Sequence, residues 1–129
     1  MTQSSMRTPL GRVRGLGSAK SGTGHFWLQR MTAVSNLVLT IIFIGIVISL
    51  SGRPYPAAMA LLGHPLVSIL MLLFILSACV HMRIGMQTIL EDYVHHEGFK
   101  VLTAMANTFF AIAVGAASVY AVLKLSFGG

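Results

Sequence analysis

The chain has 129 residues, of which 55% are hydrophobic and only 9% charged, against about 25% charged in soluble domains. With a mean hydropathy of +0.80, this composition excludes an ordinary soluble domain, and the length allows one bundle of helices rather than two domains. The net charge of +6 resembles a nucleic-acid arm only in isolation; beside an apolar run it reads as the basic flank that stays on the cytoplasmic side of a membrane.

Residues 1–28 form a basic arm carrying Arg7, Arg12, Arg14 and Lys20, with Arg30 just beyond it. Its stretch "TPLGRVRGLGSAKSGTG" is rich in Gly and Ser, so a mobile segment is expected. The arm resembles a transit peptide in being basic and free of acids, but it lacks the apolar core of a cleaved secretory signal, and it is read as part of the mature protein.

Residues 29–129 contain three apolar runs that meet the requirement of about 20 residues for a spanning helix. The first covers about 31–50 and ends at "SGRPYP", whose glycine and prolines stop a helix. The second covers about 66–90 and opens at a "GHP" turn; the third covers about 101–125 and follows "HHEGFK". The expected fold is an all-α membrane protein with three transmembrane helices. The N-terminus is expected to be cytoplasmic and the C-terminus periplasmic, because Arg7, Arg12, Arg14, Lys20, Arg30 and Lys100 then lie inside, against Arg53 and Lys124 outside. Arg83 is placed to snorkel toward the inner surface. The single Cys79 cannot form an internal disulfide and reads as a small packing residue.

Polar residues gather in the inner half of the runs. Thr32, Asn36 and Thr40 lie at i, i+4 and i+8 on the first helix, Thr103 and Asn107 on the third, and His81, Gln87 and Thr88 on the second. Such residues often serve as hydrogen-bonded packing between helices. His81 is different. Within about 60° of it around the helix lie Ser77, Ala78, Gly85, Thr88 and Asp92, a small and polar face. Gly85, one turn on, removes the side chain that would block a flat group. An intramembrane imidazole has three readings: a packing residue, a proton relay, or an axial ligand of haem iron. His25, His64, His95 and His96 sit at or beyond the membrane boundaries, so a second axial ligand would come from another chain.

Eleven residues after His81, Asp92 lies about 20° past three full turns and roughly 16 Å along the axis. Asp92-Tyr93 therefore stands at the membrane edge, on the His81 side. A phenol there can donate to a ligand carbonyl, and a carboxylate beside it can exchange protons with water.

The stretch "HMRIGMQTILEDYV", with its H-x3-G-x6-D-Y spacing, resembles the second transmembrane helix of the succinate dehydrogenase cytochrome b-type membrane anchors, in the family of the smaller of that complex's two anchors. "SAKSGTGHFWLQRMTAVSN" looks like the approach to that family's first helix, especially in alphaproteobacterial forms, and the likeness covers roughly Gly17 to Leu125. The resemblance implies a subunit of respiratory complex II in a bacterial inner membrane. It would pass electrons from succinate to ubiquinone between the tricarboxylic acid cycle and the respiratory chain. Its implied partners are a flavoprotein subunit, an iron–sulfur subunit and a second cytochrome b anchor sharing haem b.

Carried over residue by residue, the resemblance gives His81 as the axial haem ligand, with Gly85 and Ser77 in the haem slot. It gives Tyr93 as the donor to the quinone carbonyl, Asp92 as the neighbouring acid, and Arg30 as a basic group near the quinone and the haem propionates. The chain has no flavin-binding or cysteine-cluster motif, so it is not expected to oxidise succinate itself. An anchor of a fumarate reductase or another haem b quinone oxidoreductase, and a small transporter or structural membrane subunit without haem, are the alternatives.

Overall fold

The computed structural model describes residues 6, 8–15, 17 and 22–128; Arg7 and Lys20 of the basic arm lie outside them. Within the arm, Thr8 caps the five-residue helix α1 (Pro9–Val13) by accepting the Gly11 amide at 3.1 Å on its hydroxyl. Three long helices follow, α2 (Gly22–Leu50), α4 (Pro65–Tyr93) and α5 (Glu97–Ser126), with the short α3 (Tyr55–Leu62) between the first two. No strand occurs among the described residues. The three long helices have the length and hydropathy to cross a membrane.

The helices outrun the apolar stretches that announce them. α2 begins nine residues before Met31 and so takes in His25 and Arg30, and α5 begins at Glu97 rather than Val101. At 29 or 30 residues each, they are about 45 Å long, against roughly 30 Å of hydrocarbon. Hydropathy marks the part of a helix that lipid covers, not where its backbone bonds stop.

The connection after α2 also differs from expectation. Gly52 takes a left-handed φ of 74° that reverses the chain. The prolines then start a helix rather than only preventing one: Pro54 is the N-cap of α3 and Pro56 lies in its first turn, where a missing N–H costs nothing. His64 caps α4 in turn, its Nδ1 accepting the Leu66 amide at 3.3 Å, with Pro65 in the first turn. Gly63 is needed for closeness, since a Cβ there would come within 3.2 Å of the carbonyls of Leu125 and Met59.

α4 is the middle rod. α2 packs along one side of it and α5 along another, α3 touches α4 and α5, and α2 and α5 share no comparable interface. Leu39, Ile84, Ala111 and Val122 are buried at these seams, and Phe43 stacks on Phe74 with centroids 4.9 Å apart. Most large apolar side chains of the three rods point outward, which suits a lipid or subunit environment and not water. The near end of the bundle holds Gly22 and the 94–96 turn, and the far end holds α3.

Candidate functional site

The α2–α4 seam brings His81 against α2. Its Nδ1 lies 3.0 Å from Thr32 Oγ1. The Thr32 hydroxyl is also 2.8 Å from Leu28 O and 3.2 Å from Gln29 O. A hydroxyl has one proton to give. Sent to the Leu28 carbonyl, it leaves Oγ1 to accept from an Nδ1–H, and every polar atom of the trio is used. In that arrangement the imidazole proton sits on Nδ1 and the Nε2 lone pair is available. Thr32 is buried, His81 half-buried, and Ser77 Oγ donates to Thr32 O at 3.4 Å.

One turn nearer the near end, the space over Gly85 is not open. A Cβ placed there would lie 3.4 Å from Gln29 Nε2, so α2 supplies the flat group that covers the glycine. The expected slot is closed by an amide of the chain itself, because the small face of α4 is the face on which α2 packs. Gln29 Oε1 is buried there with no hydrogen-bond partner, as is Asn36 Oδ1 two turns along α2. Beside the Thr32–His81 contact runs an open apolar groove of about 570 Å³ between α2 and α4. Leu28, Met31, Val38, Leu76 and Val80 line it, with the hydroxyls of Thr32, Ser35 and Ser77.

Asp92 and Tyr93 close α4 at the near end, both exposed. The pairings Thr32 with His81 and Gln29 with Gly85 put Arg30 level with about Gly85, roughly 12 Å along the axis from Tyr93. Arg30 is exposed and holds its guanidinium 5.0 Å over the Phe26 ring. The α2 residue beside the last turns of α4 is instead His25, which lines a cavity of about 290 Å³ with Gln87, Thr88 and Glu91. Sequence spacing gives the depth of each residue on its own helix, but not the offset between helices that decides which ones meet. Thr32 as the support of His81 escapes notice for the same reason. Its i, i+4, i+8 stripe marks a polar face without naming the partner.

On the other side of α4, Arg83 does not turn to the membrane edge as expected. Its Nε donates to Thr108 Oγ1 at 3.2 Å, and Asn107 Nδ2 donates to Arg83 O at 2.9 Å, so two bonds hold it sideways against α5. Cys79 packs there too, its Sγ 3.4 Å from where a Cβ on Gly115 would stand.

Among the described residues no group of three His, Cys, Asp or Glu side chains is placed to hold a metal ion. One oriented imidazole suits a metal that arrives within a prosthetic group and takes its other ligands from that group. The donor set at His81 fits such a role: Nδ1 is tied to a neighbour, which sets the orientation of the ring.

The chain matches the model of the succinate dehydrogenase/fumarate reductase transmembrane subunit over residues 4–123. It is similar to the succinate dehydrogenase hydrophobic membrane anchor subunit of Paracoccus denitrificans, 32% identical over 94% of this chain and 93% of the relative. The equivalent subunit of Rickettsia bellii is 26% identical over 90% of this chain and 93% of its own. The succinate dehydrogenase membrane anchor subunit of Reclinomonas americana is 31% identical over 74% and 82%. No solved structure matches the chain.

Proposed function

We propose that this chain, which belongs to the succinate dehydrogenase/fumarate reductase transmembrane subunit family, anchors a succinate:quinone oxidoreductase in the bacterial inner membrane, contributes one axial ligand to haem b and forms part of the ubiquinone-reduction site. The observation that carries this reading is the His81–Thr32 contact of 3.0 Å, which leaves one ring nitrogen free beside the apolar α2–α4 groove. Its companions are a flavoprotein, an iron–sulfur subunit and a second anchor that brings the other axial ligand. The basic arm and Lys100 put the near end on the cytoplasmic side.

When bound, haem b supplies a one-electron store beside the route from the iron–sulfur subunit to the quinone. The chain's own residues do the rest. Thr32 holds the His81 ring by Nδ1 and presents Nε2. The groove lined by Leu28, Met31, Val38 and Val80 gives the α2–α4 seam an apolar wall beside that ring. Reducing a quinone to a quinol takes two electrons, delivered by the partner subunits, and two protons, one for each carbonyl oxygen. Tyr93 donates a hydrogen bond to one carbonyl oxygen and so positions the ring. Asp92, exposed at the near end, passes one proton from water to that oxygen, and the other oxygen takes its proton from the partner subunits' side of the site.

The test is a reduced-minus-oxidised spectrum of the purified complex together with an assay of quinone reduction. A b-type signal that disappears in His81→Ala supports the ligand role. A colourless wild-type complex that still reduces quinone removes it and leaves the anchor.

A further inference from the structure

Arg83 carries a full charge inside a spanning helix, and the bonds it makes within the chain do not neutralise it. Nε goes to Thr108, whose own hydroxyl proton goes to Ala104 O at 3.0 Å. Among the described residues no carboxylate pairs with the guanidinium, and its remaining four N–H donors have no acceptor there. Charged groups at this depth persist where an opposite charge meets them.

Arg83 lines a recess of about 330 Å³ between α4 and α5. Gln87 and Thr108 add polar atoms beside it; Val101, Met105 and Phe109 form apolar walls and Ala104 a small floor. The three wall residues are more than half exposed, at 60%, 51% and 64%. The recess rises from Phe109 toward the near end at Val101, where Lys100 reaches across to Glu91 O at 2.9 Å. The next carboxylate along α4, that of Glu91, is held by Gln87 Nε2 at 2.8 Å.

We propose that this recess seats one anionic phospholipid, its headgroup phosphate drawn onto Arg83 and an acyl chain laid along Met105 and Phe109. Charge and shape both select this occupant. The guanidinium needs an anion, and basic recesses between helices on the cytoplasmic side are suited to acidic lipid headgroups. A partner helix is about 10 Å across with its side chains and does not enter so small a recess, whereas an acyl chain does. Asn107, by holding the Arg83 carbonyl, keeps this stretch of α4 fixed against the lipid's pull. The lipid seat is independent of the haem and quinone roles.

The complex purified with this chain is exchanged into nanodiscs of phosphatidylcholine or of phosphatidylcholine with phosphatidylglycerol, returned to mild detergent, and weighed by native mass spectrometry. Wild type is expected to keep phosphatidylglycerol in preference to phosphatidylcholine. Arg83→Gln is expected to keep about fivefold less of it, the effect of one cation near an anionic headgroup, and Arg83→Lys an intermediate amount. Met105→Trp, which fills the recess and spares the charge, is expected to lose the lipid as well. Equal retention in Arg83→Gln and wild type, or retention undiminished by Met105→Trp, overturns the proposal. So does loss of a subunit from Arg83→Gln with its lipid unchanged, which would show that a partner's carboxylate faces the arginine.

Discussion

The two seams of α4 use similar residues to different ends. Against α5, Arg83, Asn107, Thr108, Cys79 and Gly115 fit together, and each side-chain amide or hydroxyl among them has a bond within the chain. Against α2, His81 keeps one ring nitrogen in reserve, and Gln29 and Asn36 each bury a carbonyl oxygen with no donor. Buried polar atoms without partners cost free energy, and the α2 seam carries that cost at Gln29 and Asn36. On the α5 side the open valences belong to the Arg83 guanidinium alone; on the α2 side they are a ring nitrogen and two buried amide oxygens.

Mutations can break this contrast. The largest effect is expected from His81→Ala, which removes the free nitrogen and with it the b-type absorbance of the complex; an unchanged spectrum would make the α2 seam merely structural. Tyr93→Phe, on the same rod beyond both seams, is expected to lower quinone reduction by about a hundredfold while succinate oxidation with soluble artificial acceptors continues. Equal loss of both activities would indicate failed assembly.

Thr32→Val sharpens the comparison. It frees the ring without removing it and is expected to weaken haem retention about tenfold, the usual cost of losing a ligand's hydrogen-bonded support; titration of the apo-complex with haem measures it. Asn107→Leu makes the matched cut in the α5 seam. It is expected to cost about 0.6 kcal/mol, typical of a hydrogen bond between helices in a membrane, visible as a small fall in thermal stability with the spectrum unaltered. A spectral shift of the size seen in Thr32→Val would erase the distinction.

The three spans, the capped start of α4 and the singular position of His81 could all be read from residue order, because apolar runs, an "HP" pair and a polar group in lipid act locally. α3 could not, since Pro54 and Pro56 look the same whether they end a helix or begin one. The extension of α2 back to Gly22 was hidden because residues 22–30 are too polar for a hydropathy signal yet continue the helical bonding of the rod. The partners of His81, Gly85 and Arg83 were hidden for another reason. Each lies on a different helix, and the offset between rods is set by packing that no single stretch of sequence encodes.

The long helices exceed the roughly 30 Å of hydrocarbon in a bilayer, and at the near end the turns beyond the apolar runs are residues 22–30, 91–93 and 97–100. Together these turns make a collar of folded backbone at the near end of the bundle. A soluble subunit meeting that collar would rest on stiff rod ends rather than loops, so its redox centre could be held at a fixed height above the bilayer.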